Sequence, residues 1–264
     1  MSAFGPNNDV STWGKVVRSI QSLQPYLDTA AAIARGGRYG EVCTELVTAK
    51  AHKGVDEGSY YLATTPTPGT GIASITAPTA YVATSPYIIV TNNNPVGSGK
   101  NIWMDYIHLL LVTPGTSSTN LSFTSCLDVI PRYASGGNGG NNTGLTTILQ
   151  GPFCPNSGAL GQSQALVYGG ALVAVAASLQ QKIVVPHRFL RTAIAVANDS
   201  YLFNFGATDA QLDSVLISGA AIVQRNIPHP AVCVAPGGSY LFHLYGAAMA
   251  AATTCEVEVG YFER

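Results

Sequence analysis

The chain has 264 residues, of which 47% are hydrophobic and only 10% are Asp, Glu, Lys or Arg, against about 25% charged residues in an ordinary soluble domain. Thirteen basic and fourteen acidic residues leave a formal net charge of −1, which argues against a basic nucleic-acid-binding surface and against an acidic disordered tail. High hydrophobicity with low net charge is the reverse of the composition of disordered chains, and the length suits one large all-β domain or two smaller domains.

The N-terminal region is predicted to form a helical arm. Ser11 or Thr12 can cap an amphipathic helix, and Pro25 interrupts it. A second helical stretch is expected from about Tyr26, and the glycine pair Gly36-Gly37 would end it. The apolar residues at three- and four-residue spacing on one face of the first helix are Trp13, Val16, Val17, Ile20 and Leu23. We predict that this face contacts a partner subunit, and packing onto the chain's own sheet is the alternative.

The body of the protein is predicted to begin near Gly58. Before it, residues 41–50 suit either a strand or a helix, because Val42 and Leu46 can share a strand face or a helical stripe. We therefore divide the chain into an N-terminal helical arm and connector, residues 1–57, and a body, residues 58–264.

The body has the pattern of many short β-strands. Runs rich in Val, Ile, Tyr, Phe and Thr alternate with clusters of Pro, Gly, Asn and Ser. In the last run, Val257 and Val259 face one way and Glu256 and Glu258 face the other. The fold class is therefore predicted to be mainly β, a β-sandwich or jelly-roll-like body with an N-terminal helical arm. The predicted strands are 60–64, 87–91, 102–112, 121–130, 145–149, 165–173, 181–185, 193–196, 201–205, 214–224, 239–244 and 255–261.

The few charged residues are unevenly distributed. The stretches 58–99, 133–181 and 226–255 contain none, although they are rich in tyrosine, isoleucine and phenylalanine. A monomer in solution normally keeps charge on its surface. An uncharged exterior therefore favours a subunit that packs against copies of itself or against other subunits, and a low-charge monomeric sandwich is the alternative.

Metal and disulfide chemistry is not indicated by the spacing of histidines and cysteines. The five cysteines include no CxxC pair and are odd in number, which favours reduced, buried thiols. No two of the five histidines are close in sequence. His108 and His243 fall within predicted strands, and His229 lies between two prolines, where we expect an exposed turn. We predict no metal, no cofactor and no catalytic residue.

Other functional motifs are weak. Ser163 lies in Gly-Gln-Ser-Gln-Ala, which approaches a hydrolase nucleophile elbow with Ala in place of the last Gly, and a hydrolase that uses Ser163 is the enzymatic alternative. Lys182, Arg188 and Arg191 form the one local basic group of the body, with a single aromatic among them, so nucleic-acid binding is not expected. The longest apolar run, 165–179, is interrupted by glycines and is shorter than the roughly 20 residues of a membrane span.

Three segments of the body resemble structural proteins of tailed bacteriophages. They are DEGSYYLATTPTPGTGIA at 56–73, KNIWMDYIHL at 100–109 followed by TPGT at 113–116, and DSYLFNFG at 199–206. The resemblance implies a virion component, such as a head decoration or cement subunit, with a β-sandwich that trimerises. It brings no catalytic residues with it.

The expected function is therefore that of a structural virion protein without catalysis. It would bind the major capsid protein or other virion subunits and its own copies, as a homo-oligomer with a trimer favoured, and neither nucleic acid nor membrane. The first residues carry no secretory signal, so we expect synthesis in the host bacterial cytoplasm and incorporation into the virion. The alternative is a carbohydrate-binding β-sandwich of a phage tail or receptor-binding module, which requires a groove with exposed Tyr or Trp.

Overall fold

The structure is a computed structural model of the chain. By its internal contacts the chain divides into two units, Met1–Lys53 and Gly54–Arg264. The residues that the structure describes are 32–36, 42–46, 54–73, 80–114, 121–129, 150–158, 161–170, 172, 181–191, 195–206, 214–217, 222–246 and 253–264.

The described part of the first unit is an antiparallel strand pair. Strand β1, Ala32–Gly36, pairs with β2, Val42–Leu46. The predicted second helix is therefore wrong over its last five residues. Its alanines favour a helix, but propensity is a weak prior, and the hydrogen bonds of the strand pair override it. Of the ambiguous segment 41–50, the described residues 42–46 form a strand. The predicted first helix, with Trp13 to Leu23, lies outside the described residues.

The second unit is mostly β, and its strands form two main sheets. Residues 54–56 form a short helical turn at its start. Its described strands are β3 Tyr60–Thr64, β4 Ile72–Ala73, β5 Ile88–Asn92, β6 Ile102–Thr113, β7 Leu121–Asp128, β8 Gln150–Phe153, β9 Ala165–Gly169, β10 Gln181–Arg191, β11 Ser200–Phe205, β12 Ser214–Ile217, β13 Ile222–His229, β14 Cys233–Val234, β15 Ser239–Tyr245 and β16 Thr254–Glu263.

The smaller sheet has five strands in the order β10-β7-β15-β5-β9, and all neighbours are antiparallel. The larger sheet has nine strands. Its main path is β12-β13-β11-β6-β16-β3-β8, with β14 paired to β6 and β4 paired to β16. Its neighbours are antiparallel except β11 and β13, which run parallel. Strand β6 and the C-terminal strand β16 lie at the centre of this sheet.

The two sheets share one hydrophobic core. In that core, the Phe123 ring from the small sheet contacts Phe203 from the large sheet, with ring centroids 4.8 Å apart. Phe242 stacks on Phe123 at 5.4 Å and meets Phe203 edge-on at 5.0 Å. Because side chains alternate along a strand, each sheet sends every second residue into this core.

The other face of the small sheet is also buried. A second cluster there contains Ile89, Cys126 and Leu241. The segment 80–87 contributes to the cover: the Tyr81 ring lies 4.9 Å from the His243 ring, whose Nε2 donates a hydrogen bond to the carbonyl oxygen of Ala83 at 3.3 Å.

Most predicted strands are confirmed, with ends shifted by a few residues. The single strand predicted over 214–224 is wrong, because β12 and β13 are separate and antiparallel. The strand predicted over 193–196 is wrong at residues 195 and 196, where the chain turns: the Asp199 N–H bonds the Val196 carbonyl at 3.1 Å, and Asn198 has a φ of 71°. The strand predicted over 145–149 lies outside the described residues.

Candidate functional site

A groove opens on the outer face of the large sheet. It has a volume of about 400 Å³ and crosses β6, β11, β13 and β16. Every lining residue except Leu202 carries a polar side-chain group, and the lining residues are Tyr106, His108, Ser200, Leu202, Gln224, Arg225, Asn226 and Glu258.

Strand alternation explains why polar side chains collect in the groove. In β11, Tyr201 is buried in the core, so Ser200 and Leu202 on either side of it face outward. In β16, Glu258 lies between two buried valines and faces outward in the same way. The predicted two-sided pattern of the last strand is thus confirmed. In β6, His108 is likewise flanked by buried residues.

A β-bulge places Tyr106 in the groove. The pairing of β6 with β16 shifts between Gly260, which lies opposite Tyr106, and Tyr261, which lies opposite Met104. Strand β6 therefore has one extra residue, Asp105, at this point. A bulge bends the strand and changes the direction of side chains. After Asp105 the outward-facing residues of β6 are therefore Tyr106 and His108, and Ile107 between them is buried.

The Tyr106 ring lies over Gly260. A Cβ at position 260 would overlap the Tyr106 ring and also the Tyr60 hydroxyl group, so glycine is needed for this close approach. From there the ring extends toward Glu258, and its hydroxyl donates a hydrogen bond to Glu258 Oε1. Tyr60 donates to Asp105 Oδ2 at 3.0 Å. Both rings are therefore held along the sheet surface by hydrogen bonds.

Glu258 is the centre of a chain of polar contacts. Its Oε2 lies 3.8 Å from His108 Nδ1, and His108 Nε2 lies 2.8 Å from Ser200 Oγ. The His108 ring is the main factor that lowers the pKa of Glu258, burial opposes it, and the Tyr106 hydroxyl lowers the pKa further. Burial, followed by the nearby Glu258 carboxylate, raises the pKa of Tyr106. At neutral pH the groove therefore holds an ionised carboxylate beside a protonated phenol.

The order Ser200, His108, Glu258 resembles that of a catalytic triad. Two features argue against acyl transfer. The distance of 3.8 Å between His108 Nδ1 and Glu258 Oε2 exceeds that of a hydrogen bond. In addition, Ser200 belongs to a strand that is paired on both sides, so the backbone N–H groups around it lie in the plane of the sheet and are not directed at the groove to form an oxyanion hole. The arrangement favours binding of a ligand.

A second recess continues the groove toward β3. It has a volume of about 320 Å³, shares His108 and Glu258 with the first, and is bounded by Thr64 and Glu256. The backbone N–H of Gly69 donates a hydrogen bond to Glu256 Oε1, which fixes the loop after β3 beside this recess. Together the two recesses form an open path across the middle of the sheet.

A different surface, on the small sheet, is apolar. Strand β10 is the terminal strand of that sheet among the described residues. Its side chains Ile183 and Phe189 are 59% and 49% exposed, whereas Cys126 and Ser122, which lie opposite them in β7, are buried. The His187 ring lies 4.7 Å from the Phe189 ring and 5.8 Å from the Tyr245 ring. We refer to Ile183, His187 and Phe189 as the β10 patch.

The structure locates the other residues that the sequence singled out. Ser163 lies in a loop that leads into β9, not between a strand and a helix, and its hydroxyl donates to Glu263 Oε2 at 2.6 Å and lies 2.7 Å from the Tyr261 hydroxyl. Its described hydrogen-bond partners include no histidine, so the nucleophile-elbow interpretation has no geometric support. The interface candidates Trp13, Val16, Val17, Ile20 and Leu23 lie outside the described residues.

The expected exposure of His229 is wrong. Its side chain is 1% exposed, because β13 carries it between the two sheets. Ser125 Oγ and the Tyr240 hydroxyl lie 2.8 and 3.1 Å from its Nε2, and Nδ1 donates to the Pro230 carbonyl at 2.9 Å.

Four cysteine side chains are described, and none of these forms a disulfide. Cys126 and Cys255 are buried as predicted, whereas Cys154 and Cys233 are partly exposed.

Within the described residues no group of histidine, cysteine and carboxylate side chains is arranged to hold a metal ion, and no described helix is long and apolar enough to cross a membrane.

Comparison of the chain with family models, with curated proteins and with solved structures found no match.

The sequence indicates that single groove residues face outward, but it does not indicate which of them come together in the groove. Glu258 could be assigned to an outward face by alternation, and His108 to a strand. Their contact depends on the pairing of β6 with β16, in which His108 lies opposite Glu258, and Ser200 joins them because β11 pairs with the other side of β6. Alternation within a single strand predicts which side chains face outward. It does not predict which strands pair with that strand.

Proposed function

We propose that the chain is a structural virion subunit, a decoration, cement or minor head protein, that binds its own copies and the major capsid protein or neighbouring capsid subunits. Its body would be a β-sandwich of the jelly-roll type, and the helical arm would add a second contact. After synthesis in the bacterial cytoplasm it would be incorporated in the virion. A trimer is the favoured closed assembly.

The observation that carries this proposal is the β10 patch. Terminal strands with exposed apolar side chains promote association unless another element covers them. Strand β10 also contains Pro186 and several irregularities of register, and it carries Lys182 and Arg188, which are features that block simple strand addition. We therefore infer that copies associate through side-chain packing on this patch, not by extension of the sheet.

The charge distribution supports the same conclusion. The stretches without charged residues include strands β3, β5, β9 and β15 and the loops around them. Strands β5 and β15 are buried throughout, so the uncharged exterior is formed mainly by the loops, which can be desolvated without loss of ion hydration. A stable obligate interface buries about 2,000 Å² or more. Apolar and uncharged polar surface is suited to such extensive burial.

The proposal is tested by measuring the molar mass of the full chain by light scattering at low and high concentration. We expect an oligomer for the natural sequence. The double variant Ile183→Glu/Phe189→Glu should shift it toward the monomer, because burial of the exposed half of two large apolar side chains contributes about 1.5–3 kcal/mol, or more than about tenfold in dissociation constant.

The control is Val96→Glu, which makes the same kind of substitution, with one added charge instead of two, at a side chain that is 79% exposed in the turn before β6. It should leave the molar mass unchanged. A natural chain that remains monomeric at all concentrations would overturn self-association, and an unchanged oligomer in the double variant would exclude the β10 patch. Mass spectrometry of purified particles tests the virion assignment separately, since absence of the chain from particles would contradict it.

A further inference from the structure

The groove on the outer face of the large sheet combines features that select one class of ligand. Its side chains are fixed before any ligand binds, because Tyr106 donates to Glu258 and the His108 ring contacts both Glu258 and Ser200. Side chains held in place in this way lose little conformational entropy on binding. The groove volume of about 400 Å³ is in the range of small-ligand sites.

The charges of the groove argue against an anionic ligand. Glu258 is ionised and would repel a phosphate or carboxylate group. The one guanidinium group among the lining residues belongs to Arg225, and its Nη1 donates to the carbonyl oxygens of Leu190 and Phe189, at 2.6 and 3.5 Å, toward the small sheet. A neutral ligand fits this balance better than a nucleotide or an acidic peptide.

The hydrogen-bonding groups argue for a ligand with many hydroxyls. Glu258 accepts hydrogen bonds, Ser200 and His108 can accept or donate, and Gln224 and Asn226 offer amide groups of both kinds. The side chain of Asn204 donates to Asn226 Oδ1, which directs the amino group of Asn226 as a donor. A peptide would instead need backbone groups to pair with, and those of the central strands are already used within the sheet.

The Tyr106 ring supplies an apolar surface. Since it lies over Gly260 and extends toward Glu258, one side of the ring packs on the sheet and the ring lines the groove. Sugar rings present one apolar C–H face together with hydroxyl groups at their edge, and an aromatic ring beside a carboxylate matches both.

We infer that this groove binds a neutral oligosaccharide, with one sugar ring packed on Tyr106 and bonded to Glu258. Further sugar units bond to Ser200 and to the amides of Gln224 and Asn226, because β11 lies between β13 and β6 and the amides are about 10 Å from the β6 backbone. The second recess, which shares His108 and Glu258, extends the site for further sugar units. The site is distinct from the β10 patch, which lies on the other sheet, so it does not depend on self-association through that patch.

The test is binding of the full chain to a glycan array that carries neutral oligosaccharides and matched sialylated and sulfated ones, followed by titration calorimetry with the neutral oligosaccharide that binds best. We expect binding to neutral glycans. The variants Gln224→Ala/Asn226→Ala and Tyr106→Ala should each weaken it at least tenfold. Gln224 and Asn226 are exposed, so the double variant should fold, and circular dichroism checks this.

The matched control is a change from carboxylate to amide. Glu258→Gln should weaken binding at least tenfold, whereas Glu57→Gln, at a carboxylate 3.9 Å from Arg264 and outside the groove, should not. No binding to any neutral glycan would overturn the inference. Binding restricted to the acidic glycans, or binding that the groove variants leave unchanged, would overturn it as well.

Discussion

Two buried histidines show how single residues depend on their surroundings in this protein. His229 lies between the sheets, and His243 lies under the segment 80–87, and each is 1% exposed. Burial lowers the pKa of His229 and of His243 to about 4, although a carbonyl oxygen bonded to each ring opposes the shift. Both rings are therefore neutral at physiological pH, and they act as hydrogen-bonding parts of the core.

This burial predicts a loss of stability in acid. An unfolded histidine binds its proton near pH 6.5 and these folded ones near pH 4. The free energy of unfolding therefore does not depend on the protonation of these histidines above pH 6.5. It decreases as the pH falls from 6.5 toward 4, by up to about 3 kcal/mol for each histidine, because the unfolded chain binds the proton more tightly. Urea unfolding of the natural chain from neutral to acid pH measures the slope.

The variant His229→Gln checks the assignment. It should be less stable at neutral pH, because the hydrogen bonds of the imidazole ring with its neighbours Ser125, Tyr240 and Pro230 are lost. Its stability should fall about half as steeply with pH, since His243 still titrates. An equally steep fall in the variant would contradict the role of His229.

At the scale of elements, one buried carboxylate joins three strands. Asp199 directly precedes β11 and forms an ion pair with Arg191 of β10, with 2.5 Å between Oδ1 and Nη1. It also accepts hydrogen bonds from the backbone N–H of Val223 in β13, at 2.9 Å, and of Val196, at 3.0 Å. Because β10 belongs to the small sheet and the other two strands to the large one, this carboxylate ties the sheets together at one edge.

We predict that Asp199→Asn lowers the free energy of unfolding by about 3–5 kcal/mol, because it removes one charge of the buried ion pair between Asp199 and Arg191. Chemical denaturation measures the change. Glu57→Gln is the control: it makes the same chemical change in a pair that is about half exposed and should cost less than about 1 kcal/mol. A similar decrease in the free energy of unfolding in both variants would contradict the role of Asp199 in joining the strands.

For the whole molecule, the scarcity of charge is the dominant property. The large sheet keeps its polar groove on one side, and the small sheet ends in the β10 patch. These are different surfaces, so one subunit could bind its neighbours through one and a ligand through the other. This separation is what a subunit on a particle surface would require.

The proposed arm contact gives a prediction at this scale. Val16 and Ile20 are four residues apart on the apolar face of the predicted N-terminal helix, so Val16→Asp/Ile20→Asp should lower the occupancy of the chain on particles, measured by quantitative mass spectrometry. Lys15→Asp/Arg18→Asp, on the opposite face, is the control and should retain occupancy. Equal occupancy for the natural chain and both variants would contradict the arm contact.

Much of the strand content could be predicted from the sequence, because the alternation of apolar and polar residues is local. β3 was predicted with its observed ends, and β16 with its buried and outward faces. The alternation in β16 has a period of two whatever strand lies beside it. The same local reasoning failed for Ala32–Gly36, where alanines favoured a helix and pairing with β2 formed a strand.

The sequence by itself determined that this is a mainly β chain with little charge and with polar residues on one side of its last strand. Only the tertiary structure decided that Tyr106 and Glu258, 152 positions apart, would be in contact, that β11 and β13 would run parallel, and that His229 would be buried. The physical reason is that the direction of a side chain depends on its own strand, whereas its neighbours depend on which distant strands form hydrogen bonds to that strand.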